Sequence, residues 1–140
     1  MPLRCVDASV LVSWLVPSQR SAAVVEVWQG FIQGRDEFVA PPLLYPECLS
    51  AIRRLSNRDL LTAAEARGLA EDALALNITT SRPEGLYQRA YDLAERYRLS
   101  TVYDCCYLAL AETLSCEMLT LDQRLYKTVS HNFRWVRLVS

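Results

Sequence analysis

Short apolar runs too brief to be helices alternate along this chain with stretches whose apolar residues recur every three or four positions, and few folds accommodate that alternation. Leu3 to Val6 is such a run and ends at Asp7. From Ala8 the spacing of Val10, Leu11, Trp14 and Leu15 marks one face of a helix that Pro17 stops. The helical period returns at Val24, Val25, Val27, Trp28, Phe31 and Ile32 and ends in the turn Gly34-Arg35-Asp36. Phe38-Val39-Ala40, bounded by Asp36 and by Pro41-Pro42, predicts a second buried strand. The following helix must hold Pro46 in its first turn, where the missing N–H breaks no hydrogen bond. That places Glu47 near the amino end of the helix, with Leu49, Ile52 and Leu55 further along.

Thr62-Ala-Ala-Glu65 and Ser81-Arg-Pro-Glu84 both match the capping box, in which two side chains satisfy two orphan backbone N–H groups. They predict helices from Thr62 to about Leu74 and from Pro83 to about Arg98, with a weak strand over Leu76 to Thr79 between them. A further helix begins at Thr101-Val-Tyr-Asp104 and runs from Tyr107 through Leu114. Glu117 to Leu121 then reads as a strand, Gln123 to Val129 as a short helix, and Trp135 to Val139 as a final edge strand. Strands alternating with helices predict an α/β fold: a three-layer α/β/α sandwich around a central, mostly parallel sheet.

At 140 residues, with 51% hydrophobic and 22% charged residues, the chain fits one globular domain over 1–140. A formal net charge of −1 gives no global field to draw it onto nucleic acid or an anionic membrane, so any such contact is a local patch. Every basic residue but Lys127 is arginine, which suits bidentate phosphate contacts. The odd set Cys5, Cys48, Cys105, Cys106 and Cys116 has no C-x-x-C pair, and it reads as reduced structural thiols rather than a disulfide or zinc framework. Arg4 and Asp7 interrupt the apolar start of the chain, so neither a signal peptide nor a membrane span is expected, and a cytoplasmic protein is.

Four acids stand at related places in this pattern. Asp7 and Asp122 close strands, Glu47 opens the helix after a strand, and Asp104 opens the helix between two strands. Each has a structural reading as a helix cap or as a partner of a helix dipole. Taken together they converge, because the carboxyl ends of parallel strands share one rim and ligands bind there. Four carboxylates gathered at one rim repel unless a cation intervenes, and an oxygen-only set without histidine suits Mg²⁺ or Mn²⁺ rather than zinc. Such an ion can activate water and bind a phosphoryl oxygen, which is the apparatus for hydrolysing a phosphodiester. The lone His131, the absence of a G-x-S-x-G elbow and the absence of a glycine-rich phosphate loop leave serine-triad and nucleotide-cradling chemistry without their parts.

With those acids in place the sequence resembles the PIN-domain ribonucleases, in particular the VapC-type toxins of prokaryotic toxin–antitoxin pairs. The resemblance rests on VDASVLVSWL around Asp7, PPLLYPECLSAIRR around Glu47, YDCCYLALAETL around Asp104 and LTLDQRLY around Asp122, in the family's order. The region from about 60 to 97 carries only generic helical signals. The resemblance implies endonucleolytic cleavage of RNA with Mg²⁺ or Mn²⁺, a homodimer, and a cognate antitoxin that blocks the site. It implies that Asp7, Glu47 and Asp104 are the core metal-binding acids and Asp122 the fourth, with Ser9 and Thr120 as supporting polar residues. Two positions depart from the pattern: Ser50 stands where many relatives carry asparagine, and Ser115 where a helix-ending glycine is frequent.

Arg53, Arg54, Arg124 and Lys127 follow acidic motifs and are candidate phosphate contacts, with a solvated surface as their structural reading. Trp14, Trp28, Tyr45 and Tyr103 are candidates to stack on bases, against a reading as core aromatics. Two competing functions keep the fold: a catalytically silent protein-interaction module, and a nuclease of the same chemistry directed at DNA.

Overall fold

The computed structural model describes residues 2–140. Its strands are Leu3–Val6 (β1), Glu37–Ala40 (β2), Thr79–Thr80 (β3), Glu117–Thr120 (β4) and Val136–Leu138 (β5). They form one sheet in the order β3-β2-β1-β4-β5, and every neighbouring pair is parallel. The helices are Ala8–Leu15 (α1), Ala22–Ile32 (α2), Leu44–Asn57 (α3), Ala63–Ala75 (α4), Leu86–Arg96 (α5), Tyr103–Leu114 (α6) and Gln123–Val129 (α7), with a single 3-10 turn at Pro17–Gln19.

The order of the strands decides the layers. From β1 the chain steps outward to β2 and β3 through α1 to α4, then returns across the sheet to β4 and β5 through α5 to α7. Right-handed crossovers travelling in opposite directions lie on opposite faces, so α1 to α4 cover one face and α5 to α7 the other. The packing agrees: α1 touches α2, α3 and α4, whereas α6 lies between α5 and strands β1 and β4. The result is an α/β/α sandwich whose direction of winding reverses between β1 and β4.

Side-chain alternation along β1 serves both faces. Val6 and Cys5 are fully buried, and the Cys5 thiol points to the α6 face, where it donates to the Tyr107 carbonyl. On that face α6 is buried from Cys105 through Ala111, a helix apolar on nearly every side, as its place between α5 and the sheet requires. Leu108 and Leu110 are fully buried there, each worth roughly 1.5–3 kcal/mol of apolar burial. On the other face Trp28 of α2 is fully buried. Its ring stacks on Trp14 at 5.6 Å and meets Phe38 edge-on at 5.1 Å, and its indole N–H donates to the Val10 carbonyl. The backbone of α2 also comes close to the turn that follows it: a Cβ on Gly30 would meet the Asp36 carboxylate, so any larger residue there requires that side chain to swing away.

Several boundaries differ from the sequence reading. The capping box at Thr62 forms with both halves present. The box at Ser81 does not. The Ser81 N–H donates to the Ala40 carbonyl and prolongs the β2–β3 ladder, and α5 starts five residues later behind Gly85, whose φ of 81° opens the helix without a side-chain cap. The strand expected over Leu76 to Thr79 is displaced to the two residues Thr79–Thr80. Ser115 ends α6 in the left-handed region with φ 53°, the conformation that makes glycine frequent at helix C-termini.

Candidate functional site

Because all five strands run the same way, their carboxyl ends open on one rim, and the reversal of winding leaves a crevice beside β1 and β4. A cleft of about 410 Å³ lies there, and Asp7, Glu47, Asp104 and Asp122 all line it. Four separated parts of the chain supply them: the end of β1, the first turn of α3, the first turn of α6, and the loop after β4.

Asp7 is the most constrained of the four. It is 5% exposed and caps α1, accepting from the backbone N–H groups of Ser9 and Val10. The Ser9 hydroxyl donates to its Oδ1 and the Thr120 hydroxyl to its Oδ2. The same two hydroxyls accept in turn, Ser9 Oγ from the Leu121 N–H and Thr120 Oγ1 from the Asp122 N–H, each at 3.0 Å. Ser9 and Thr120 thereby tie the loop after β4 to the end of β1. Burial pushes the Asp7 carboxyl up to about 6; hydrogen bonds from Ser9, Thr120 and Val10 pull against that shift, and the charge of Asp104 adds to it.

Asp122 caps α7 through the Leu125 N–H at 3.0 Å. For Asp7 and Asp122 the capping reading therefore holds, and it coexists with a place in the cleft. For Asp104 it does not hold: the cap position of α6 is Val102, which makes no side-chain hydrogen bond, and no box forms with Thr101. Asp104 is raised from its ordinary range by burial first, then by the charges of Asp122 and Glu47. Glu47 accepts a 2.6 Å hydrogen bond at Oε1 from the hydroxyl of Tyr107, which is 1% exposed. Desolvation and the adjacent Glu47 raise that phenol far above its usual range, so it stays a donor.

Tyr107 was hidden in the sequence inside an apolar helical run. The signal that would have found it is its position three residues after Asp104, which puts both on one face of α6. The same periodicity separates the basic candidates. Arg54 lies seven residues after Glu47 and lines the cleft, whereas the neighbouring Arg53 turns to the groove between α3 and α4 and donates to Asn57. Arg124 and Lys127 are exposed on α7 and line no part of the cleft, because the short helix turns them outward. Of the four proposed phosphate contacts, then, only Arg54 is beside the acids.

The donor set is oxygen-only and rich in like charge, which fits a hard divalent ion. Among the described residues no three acidic, histidine or cysteine side chains are gathered tightly enough to enclose an ion by themselves. No helix among the described residues is long and apolar enough to cross a membrane.

The family model described as PIN domain matches residues 4–130. Ribonuclease VapC9 of Mycobacterium tuberculosis is 40% identical over 88 residues, covering 63% of this chain and 67% of that protein. A VapC ribonuclease of Mycobacterium bovis aligns to the same extent. Ribonuclease VapC12 of Mycobacterium tuberculosis is 31% identical over 126 residues, covering 90% of this chain and 92% of its own length.

Proposed function

The chain belongs to the PIN-domain family, and on that premise we propose that it is a VapC-type endoribonuclease, the toxin of a prokaryotic toxin–antitoxin pair. The observation that carries this reading is the convergence of Asp7, Glu47, Asp104 and Asp122, drawn from four distant segments, on one cleft at the carboxyl edge of a parallel sheet. Similarity to relatives named as ribonucleases across nine-tenths of the chain supports it.

In this reading residues 1–140 form one domain, and Mg²⁺ or Mn²⁺ is held by the four acids, of which Asp122 is the most exposed, Glu47 and Asp104 are half-buried and Asp7 is buried. When bound, such an ion supplies an acidified water and positive charge beside the phosphoryl oxygens. The residues of the chain do the positioning. Ser9 and Thr120 fix both oxygens of Asp7, and Tyr107 holds Glu47 by one oxygen and leaves the other free. Arg54 supplies the cation of the cleft to the RNA backbone. In the reaction, water oxygen bonds to phosphorus as the bond to the 3′ oxygen breaks, and one water proton ends on that leaving oxygen. The products are a 5′-phosphate and a 3′-hydroxyl. The partners of this reading are an RNA substrate, a cognate antitoxin and a second copy of the chain, in the cytoplasm.

The test is cleavage of a total RNA pool by purified protein freed of antitoxin, with Mg²⁺, Mn²⁺ or EDTA, beside Asp104→Asn. Metal-dependent cutting that falls by at least about 100-fold in the variant is expected. No cutting by a folded wild type with either metal would overturn the reading in favour of a silent interaction module, and preferential cutting of matched DNA oligonucleotides would redirect it to DNA.

A further inference from the structure

A second cavity, of about 360 Å³, adjoins the acid cleft and shares two of its walls, Glu47 and Arg54. Its remaining lining is Leu43, Pro46, Ser50 and Tyr103. The lining therefore adds two apolar side chains, one hydroxyl and one aromatic ring to the shared acid and arginine. Tyr103 is the residue immediately before Asp104, at the first position of α6, and is 52% exposed.

The other aromatic side chains that could meet a base are already engaged. Trp28 is fully buried, and Trp14 lies stacked between Trp28 and the Arg20 guanidinium. The Tyr45 hydroxyl is bonded to the backbone of Ile78, and Tyr107 is buried against Glu47. Tyr103 is thus the one exposed aromatic ring lining either cavity, and Arg54 the one cation, among the described residues. None of the ion pairs formed by those residues uses Arg54.

We infer that the second cavity is a nucleobase subsite: it takes an unpaired base of single-stranded RNA, stacked on Tyr103, from a nucleotide adjoining the phosphate at the acids. The inference rests on the nuclease reading and adds how the strand is held in register. A ring one residue from Asp104 couples the place of a base to the place of the phosphate, and Arg54, in the wall common to both cavities, faces the backbone that joins them. Sequence-specific and tolerant RNA binding alike use unpaired bases on aromatic faces, and a ring without a dedicated polar fork accepts any base, so the subsite selects for single strands before it selects for sequence. Ser50 at its edge adds one hydroxyl that donates or accepts.

The experiment is a cycle between protein and RNA. Cleavage and Mg²⁺-dependent binding are measured for wild type, Tyr103→Ala, Tyr103→Leu and Tyr103→Phe on a single-stranded oligonucleotide that the wild type cuts. Each is measured again with an abasic site placed in turn on either side of the cut. Tyr103→Ala and Tyr103→Leu are expected to raise KM about 5- to 100-fold with a smaller change in kcat, and Tyr103→Phe to stay near wild type. One abasic position should cost the wild type as much and cost Tyr103→Ala nothing more. Wild-type KM in Tyr103→Ala, or equal losses from the abasic site in both proteins, overturns the subsite while leaving the nuclease reading intact. A wild type that neither binds nor cuts RNA overturns both.

Discussion

Two clefts of nearly equal size, about 410 and 400 Å³, adjoin the central strands, the first at their carboxyl ends and the second between α2 and β5, reaching the amino ends of β1 and β4, and their charges are handled in opposite ways. Around the amino ends Arg4, Asp36, Glu117 and Arg137 form a closed set. Arg4 reaches Asp36 at 3.9 Å and Glu117 at 3.5 Å, and Arg137 reaches Glu117 at 2.7 Å. Two acids meet two arginines and little net charge is left. At the carboxyl ends four acids face one arginine, and two of them are raised first by burial and then by neighbouring charge, Asp7 by Asp104 and Asp104 by Asp122 and Glu47. A fold selected only for stability would treat both ends like the first. The uncompensated end marks where this chain keeps free energy in reserve for a ligand of opposite charge.

Three measurements would sharpen or break that contrast. The largest effect is expected at Asp7. Its pKa in the fold, about 6, lies above the ordinary aspartate value of 3.8. The stability it contributes is therefore fully present below about pH 4 and lost as pH rises through about 6. Asp7→Asn should match the metal-free wild type in urea unfolding at pH 4 and exceed it by up to about 3 kcal/mol at pH 7.5. Added Mg²⁺ or Mn²⁺ should narrow the gap by stabilising the wild type alone. A variant less stable than wild type at pH 7.5 would show that the hydrogen bonds from Ser9 and Thr120 outweigh the cost of burying the charge.

An intermediate effect is expected at Tyr107. Tyr107→Phe keeps the buried ring and removes only the hydroxyl that holds Glu47, so titration calorimetry with Mn²⁺ should show affinity reduced by about 10- to 100-fold at unchanged fold. Wild-type affinity would return Tyr107 to the status of a core residue. The smallest effect is expected at the amino end, where Glu117→Gln should leave RNA cleavage within about twofold of wild type. A large loss there would mean that the two ends are coupled and the contrast is false.

Much of this was legible in the sequence, for reasons that vary by element. β1, β2 and β4 are continuous apolar runs because both faces of a central parallel strand are covered, and α7 was bounded by Asp122 at its cap. The box at Thr62 forms as its pattern predicts because nothing competes for its groups, whereas the same pattern at Ser81 fails because its N–H is recruited to Ala40, 41 positions away. A local pattern cannot report such a tertiary claim on a donor. At the site, the acids stood out because strand ends in a parallel sheet share a rim. Arg53 and Arg54, adjacent in sequence, could not be parted without knowing which side of α3 faces α4. Tyr107 was masked because a buried phenol that bonds a carboxylate has the same spacing as one that only fills space.

The hydrogen bond from Thr120 to Asp7 closes a span of 113 residues. β1 is the first strand of the chain, yet its partner β4 follows only after β2, β3 and six helices have been made. Pairings this distant must be reached against a large loop-closure entropy and form slowly. The carboxylates come from positions 7 to 122, so a partly synthesised or partly folded chain lacks an assembled centre. Whatever chemistry the cleft performs is switched on by completion of the fold itself.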